Sequence, residues 1–157
     1  MPRQLPVFLV DLGRADLLLA AMDFYAAASQ AEFRLEGPSR GGPALLFAKG
    51  RAHVCLALEK EIERLFSPEP PAEDELSTAF LAKGHGGARA YLLRRRFEML
   101  SLPARDFRLL PLGIRARQAS RGIVALRFEG AGRLQLLMNP GLLRPEDDQG
   151  GAPSESS

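Results

Sequence analysis

The two residues best suited to nucleophilic chemistry are His53 and Cys55, which stand two positions apart in an apolar segment. In a β-strand the side chains at i and i+2 share a face, so the imidazole and the thiol would be neighbours. A Cys–His nucleophile also needs an acid that orients the histidine and donors that stabilise an oxyanion. The surrounding sequence supplies neither group. The pair is therefore predicted to be half-buried strand residues, with a Cys55-dependent enzyme as a remote alternative and no catalytic residue assigned.

A second candidate is the glycine-rich segment Gly84-His85-Gly86-Gly87, which precedes a stretch that is predicted to be helical. Backbone amides at the start of a helix can bind a phosphate. The segment lacks the Gly-Lys-Ser/Thr ending of a Walker loop, and it does not follow a predicted strand as a dinucleotide fingerprint would. We therefore predict a linker between two helices, and no cofactor site.

The strongest charge signal is an arginine-rich region, residues 88–133, with 11 arginines and three acidic residues. The segments on either side, 1–87 and 134–157, each carry a net charge of −3. Such an asymmetry either attracts an anionic partner or is neutralised within the fold. An arginine-rich helix face suits an acidic protein surface. The predicted partner-binding residues are Arg89, Arg94, Arg95 and Arg96.

Nucleic acid is an alternative partner for the same arginines, since arginine–phosphate contacts give affinity that does not depend on sequence. Stacking residues are few, because the chain has no tryptophan and the aromatic residues of this region are spaced like core residues. These are Tyr91, Phe97, Phe107 and Phe128.

Cyclic-dinucleotide binding of the PilZ type is a further alternative, suggested by Arg94-Arg95-Arg96. The PilZ pattern has another arginine at the position of Glu98 or Met99, and this chain has none there. Its second motif, Asp/Asn-x-Ser-x-x-Gly, would have Gln118 and Ile123 at the first and last positions around Ser120. Both departures weigh against this alternative.

Length and composition exclude several classes of protein. The chain of 157 residues, 46% apolar and 25% charged, is typical of one globular domain. One cysteine cannot form an internal disulfide, and with two histidines it cannot complete a zinc site. The densest apolar run, Leu17 to Met22, is far shorter than the roughly 20 residues of a membrane helix. We predict a cytoplasmic protein with no metal and no membrane insertion.

The elements that would position these residues are a mixture of helices and short strands. Ala15, Leu18, Leu19, Met22 and Ala26 have helical spacing, which predicts a helix over about 14–29. Residues 5–12 form an apolar strand or lead into that helix. Alternating and apolar segments at 32–36, 44–48 and 52–57 predict an antiparallel meander, with a hairpin turn at Lys49-Gly50.

The second half of the chain is predicted to be mainly helical. Helices are expected at 59–66, 75–83 and 88–100, followed by a short strand around Phe107–Leu110. Residues 120–138 fit two alternatives, a strand at 124–128 or a helix whose positions run from Leu126 to Met138. The last residues, 144–157, are rich in Pro, Gly, Ser and acid, which predicts a disordered tail. Whether this acidic tail competes for the basic region stays open.

The order of these segments resembles the PATAN-type domain, catalogued as domain of unknown function 4388, found in certain bacterial response regulators. The similar segments are the leucine-rich helix, the strand Ala-Glu-Phe-Arg-Leu, the hairpin Ala-Leu-Leu-Phe-Ala-Lys-Gly-Arg-Ala-His-Val-Cys, residues 90–109 and a closing segment 126–134. Phe33, Leu35, Phe47, Gly50, Ala52 and Cys55 occupy its strand and hairpin positions. The chain departs from the family at Gln30-Ala31, Gln135 and Leu136.

This resemblance implies a closing helix over 126–134 and an α+β fold, in which a short antiparallel meander packs with several helices. It predicts a PATAN-like regulatory domain over 1–143, followed by the tail. It implies no catalytic residue. The resulting hypothesis is a non-enzymatic bacterial adaptor that binds a protein partner in a signalling or motility pathway.

Overall fold

The computed structural model describes residues 3–37, 42–66, 68–84, 87–111, 113 and 122–142. The predicted tail, 144–157, lies outside them. Twelve strands and one α-helix are found in this part of the chain: β1 Gln4–Asp11, β2 Asp16–Ala20, β3 Ala26–Ser29, β4 Arg34–Glu36, β5 Leu45–Ala48, β6 Arg51–Ala57, α1 Leu58–Phe66, β7 Thr78–Gly84, β8 Gly87–Leu93, β9 Phe97–Pro103, β10 Arg108–Leu109, β11 Ile123–Phe128 and β12 Leu134–Met138.

The strands form two sheets of six. Sheet I has the order β10-β11-β12-β2-β1-β9, and sheet II has the order β3-β7-β8-β6-β5-β4. Most neighbouring strands are antiparallel, but β12 runs parallel to β2, and β6 runs parallel to β8. Sheet I therefore combines strands from both ends of the chain, while sheet II is built from the continuous segment between them.

The predicted meander and its hairpin are confirmed. Strands β4, β5 and β6 are antiparallel neighbours, and α1 follows β6 as the spacing of its apolar residues indicates. Lys49 and Gly50 have φ angles of 52° and 75°. Two consecutive positive φ angles are typical of the type I′ turn, whose twist matches that of the paired strands.

The predicted α+β fold with several helices is wrong, because the described chain is β-rich with α1 as its one α-helix. The helix expected over 14–29 is replaced by β2, a 3₁₀ turn and β3. All five residues of β2 are buried, since the strand lies between β1 and β12 and is covered on both faces. Such a strand shows an unbroken apolar run instead of alternation.

The helices expected over 75–83 and 88–100 are also wrong, and these residues form β7, β8 and β9. The closing helix over 126–134 is replaced by the hairpin of β11 and β12, in which Phe128 pairs with Leu134. The strand alternative for this segment is therefore the correct one. The short strand predicted around Leu109 is confirmed as β10.

One apolar core joins the two sheets. Its buried side chains come from sheet I, sheet II and α1, and include Val10, Leu17, Leu58, Ile62, Phe80, Tyr91 and Met138. At the centre, the ring of Phe80 from sheet II lies 5.1 Å from the rings of Phe8 and Phe97 of sheet I, between centroids. The aromatic side chains of both sheets thus pack together in a shared interior.

Candidate functional site

The predicted partner-binding arginines Arg94, Arg95 and Arg96 form the link between β8 and β9, which we call the arginine linker. Arg95 is only 6% exposed. Its Nε donates to a carboxylate oxygen of Glu59 in α1 at 2.6 Å, and its Nη1 donates to the carbonyl oxygen of Glu69 at 2.6 Å. Arg95 therefore holds together parts of this chain and is not available to a partner.

Arg94 also binds the chain itself, although it is exposed. Its Nη2 donates to the carbonyl oxygen of Glu73 at 2.8 Å, and its Nε donates to that of Glu75 at 3.1 Å. These carbonyl groups belong to residues 68–77, the proline-rich connector between α1 and β7. Two of the three linker arginines thus bind the connector, and Arg95 also joins it to Glu59 in the first turn of α1.

Arg96 is the linker arginine that points into solvent, with 93% of its side chain exposed. It forms a long ion pair with Glu75, 3.7 Å between Nε and Oε1. Two depressions, of about 490 and 350 Å³, meet at Arg96 and Asp11. We call this region the Arg96 surface, and its charged residues are Asp11, Asp16, Glu69, Glu75, Arg95, Arg96, Glu98 and Arg133.

A chain of charged and polar side chains runs from the Arg96 surface into sheet I. Arg133 bridges Asp16 and Asp11, with N–O distances of 2.9 and 2.7 Å. Asp16 is buried and accepts a hydrogen bond from the Gln135 amide at 2.8 Å. The hydrogen bond to Asp16 is the main cause that raises the pKa of Arg133 above its usual value. These pairs keep Arg133 fixed in place.

Arg89 is not brought together with the arginine linker. It lies on β8 in a second pocket of about 340 Å³, between sheet II and the segment that follows β12. We call it the inter-sheet pocket. Its lining residues are Asp23, Phe24, Ala82, Lys83, Arg89, Tyr91, Asn139, Pro140, Gly141 and Leu142.

The polar groups of the inter-sheet pocket influence one another. Burial raises the pKa of the Tyr91 phenol, and a hydrogen bond from Arg89 acts in the opposite direction. Desolvation likewise raises the pKa of Asp23 above 3.8. A carboxyl group with a raised pKa in the folded state binds its proton more tightly there than in the unfolded chain.

Asp23 should therefore make the protein less stable as the pH rises. The contribution of Asp23 to the free energy of unfolding is expected to fall as the pH passes upward from about 3.8, the value of an unfolded aspartate, through the higher pKa of the folded state. Asp23→Asn removes this ionisation. The free energy of unfolding of the variant should therefore fall less than that of the wild type as the pH rises, and its stability at pH 7 should be equal or greater. Urea unfolding of both proteins across this pH range measures the effect. A steeper fall in Asp23→Asn would contradict the assignment.

His53 and Cys55 do not form a nucleophilic pair. His53 is fully buried, its Nδ1 lies 3.2 Å from the carbonyl oxygen of Leu46, and its Nε2 lies 2.5 Å from the hydroxyl of Tyr25. A carbonyl only accepts, so Nδ1 donates to Leu46 and Nε2 accepts from Tyr25. Neither nitrogen is left to take a proton from Cys55. The prediction that these are strand residues is confirmed by their place in β6. The expected half-burial holds for Cys55 but is wrong for His53.

The glycine-rich segment does not link two helices as predicted. Gly84 ends β7, Gly87 begins β8, and the two residues pair across the ladder. His85 and Gly86 lie outside the described residues.

Within the described ranges, no three His, Cys, Asp or Glu side chains are grouped as metal ligands would be. No helix in that part of the chain is long and apolar enough to cross a bilayer.

Sequence reasoning missed several residues of these two surfaces. Lys83 and Asp23 line the inter-sheet pocket, but both were assigned to predicted helices. Asp11 lines the Arg96 surface and was assigned to a predicted strand whose partners were not known. The parallel pairing of β12 with β2 brings Arg133 beside Asp11 and Asp16. No signal in the linear sequence indicates that pairing.

Comparison with known proteins informs the fold. No family model and no curated protein matches the chain. Among solved structures, the chain is similar to the scaffolding protein TtCheW from Thermoanaerobacter tengcongensis, with a TM-score of 0.59 and 9% sequence identity. The similarity covers 88% of this chain and 90% of that chain. The resemblance to the PATAN-type domain stays a prediction, and the fold of this chain is a CheW-like arrangement of two β-sheets.

Proposed function

We propose that this protein is a non-enzymatic signalling adaptor that acts by binding another protein. The observation that carries the proposal is the similarity of fold to a scaffolding protein over nearly the full length of both chains. Fold alone does not determine function, so the proposal also depends on a surface that is suited to protein contacts. The partner would belong to a signalling or motility pathway.

The Arg96 surface is the contact site that we propose for that partner. It combines an exposed guanidinium with two adjoining depressions, and the side chains around it are held by internal ion pairs. The exposed Arg96 guanidinium itself suits a partner segment with a carboxylate, because arginine pairs with carboxylates through two parallel hydrogen bonds. Of the four arginines that were predicted to bind a partner, Arg96 is the one that this proposal retains at this surface.

The nucleic-acid alternative uses the eleven arginines of residues 88–133, and four of those in the described part of the chain are engaged within it. Arg94, Arg95, Arg127 and Arg133 each donate a hydrogen bond to a group of the same chain. Phosphate binding without sequence preference depends on several free cations along one surface. The internal bonds therefore favour the protein-binding proposal over nucleic-acid binding.

Charge reversal at Arg96 should weaken the complex without unfolding the protein. Arg96→Glu replaces an attraction with a repulsion at an exposed position, and we expect about a 10-fold increase in the Kd, which corresponds to roughly 1.4 kcal/mol. Isothermal titration calorimetry with the partner captured from the native host measures the change, and urea unfolding checks that stability is unaffected.

Arg51→Glu is the matched control, because Arg51 is an exposed arginine at the start of β6 in sheet II. It makes the same change in net charge at a position outside the Arg96 surface. Equal weakening by Arg51→Glu and Arg96→Glu would show an effect of net charge alone. Unchanged affinity in Arg96→Glu would place the contact elsewhere.

A further inference from the structure

The inter-sheet pocket carries positive charge on an apolar base. Phe24, Tyr91 and Pro140 supply apolar surface, and Tyr91 and Pro140 are buried. Lys83 is exposed and Arg89 is half-buried, so two cations line the pocket against one carboxyl group, that of Asp23. An anionic segment with some apolar contact would complement this lining.

The chain itself contains such a segment immediately beyond the pocket. Leu142 is both the last described residue and part of the pocket wall. The residues that follow begin with Leu-Arg-Pro and continue with three consecutive acids, Glu146, Asp147 and Asp148. Three residues lie between Leu142 and Glu146, and the four Cα–Cα steps that join them span at most about 14 Å.

We propose that the inter-sheet pocket binds the acidic segment 146–148 of its own chain, which then occupies the pocket in competition with any other anionic ligand. Because the segment is tethered to the pocket wall, its effective concentration there is on the order of millimolar or more. Weak pairing with Lys83 and Arg89 is then sufficient for occupancy.

The proposal predicts that the contact between the acidic segment and the pocket depends on ionic strength. Lys83 is exposed, and the charges of the pocket are close to solvent, so added salt should weaken the contact. The Lys83 ammonium also lies 5.6 Å from the centre of the Tyr25 ring.

The test is nuclear magnetic resonance of the full-length protein with and without the acidic charges. We compare the wild type with the variant Glu146→Gln/Asp147→Asn/Asp148→Asn, and follow the backbone amides of Ala82 and Lys83 and the side-chain Nε–H of Arg89. These groups are distant in sequence from the substitutions. We expect their signals to shift on neutralisation, and to shift in the same direction when NaCl is raised from about 50 to about 500 mM in the wild type.

Two controls make the result specific. Glu155→Gln neutralises an acid outside the run of three and should leave the signals of Ala82, Lys83 and Arg89 unchanged. Lys83→Ala, at an exposed position, should reduce the shift that neutralisation of the segment causes at Arg89. Identical spectra of the wild type and the neutralised variant at these groups would overturn the proposal. Shifts that instead cluster around Arg96 would overturn it as well, because they would place the segment on the other surface.

Discussion

Arg95→Met is expected to lower the free energy of unfolding by about 3 kcal/mol, the lower end of the range for breaking a buried ion pair. Arg95 is 6% exposed, and its guanidinium donates to Glu59 at 2.6 Å and to the carbonyl oxygen of Glu69 at 2.6 Å. Without it, the Glu59 carboxylate remains largely buried and, within the described part of the chain, keeps the long bond from the Arg94 backbone amide, 3.3 Å. Urea unfolding followed by circular dichroism measures the loss.

The double variant Arg95→Met/Glu59→Leu separates the cost of the unpaired Glu59 charge from the loss of the Arg95 side chain itself. Since both charges are then absent, most of the stability should return, because the cost comes from an unpaired buried charge. Arg96→Met is the neighbouring control, and it should change stability by less than about 0.5 kcal/mol because its side chain is exposed. A loss below about 1 kcal/mol in Arg95→Met would mean that the linker does not hold the connector in place.

Phe80→Ala is expected to cost about 3–5 kcal/mol, as removal of a buried aromatic side chain usually does. Phe80 has no exposed surface, and its ring centroid lies 5.1 Å from Phe8, 5.1 Å from Phe97 and 5.4 Å from Phe24. Because Phe8 and Phe97 belong to sheet I, the cavity that the missing Phe80 ring leaves lies between the two sheets. Urea unfolding gives the size of the effect.

Amide hydrogen exchange tests whether the sheets share one core, as these contacts indicate. In Phe80→Ala, exchange should accelerate in both β1 of sheet I and β8 of sheet II, since the lost contacts join them. Phe128→Ala is the control, because Phe128 is 62% exposed and should affect stability little. Faster exchange in sheet II alone would show that the sheets are stabilised independently.

The parts of the fold that could be predicted are those with local signals. The turn at Lys49-Gly50 and the alternation around it determine β5 and β6, and the spacing of apolar residues indicates α1. Strand β2 could not be predicted in the same way, because Leu17, Leu18 and Leu19 are all buried and an unbroken apolar run fits a helix equally well.

The surfaces could be predicted only in part. The arginine run stands out in the sequence, yet the separate roles of its three residues depend on residues distant in sequence. Glu59 lies 36 positions before Arg95, and the Glu73 carbonyl oxygen that Arg94 binds lies 21 positions before it. Composition indicates that charges will be paired or exposed, but it does not indicate which arginine finds a partner within the chain.

The central claim, that this protein acts by binding another protein, is tested most directly by affinity capture from the native host with and without nuclease, with the captured proteins identified by mass spectrometry. We predict a protein that is retained after nuclease treatment, that binds the purified chain directly, and that is captured less efficiently by Arg96→Glu than by Arg51→Glu. Loss of every captured protein on nuclease treatment, with nucleic acid bound before it, would contradict the account.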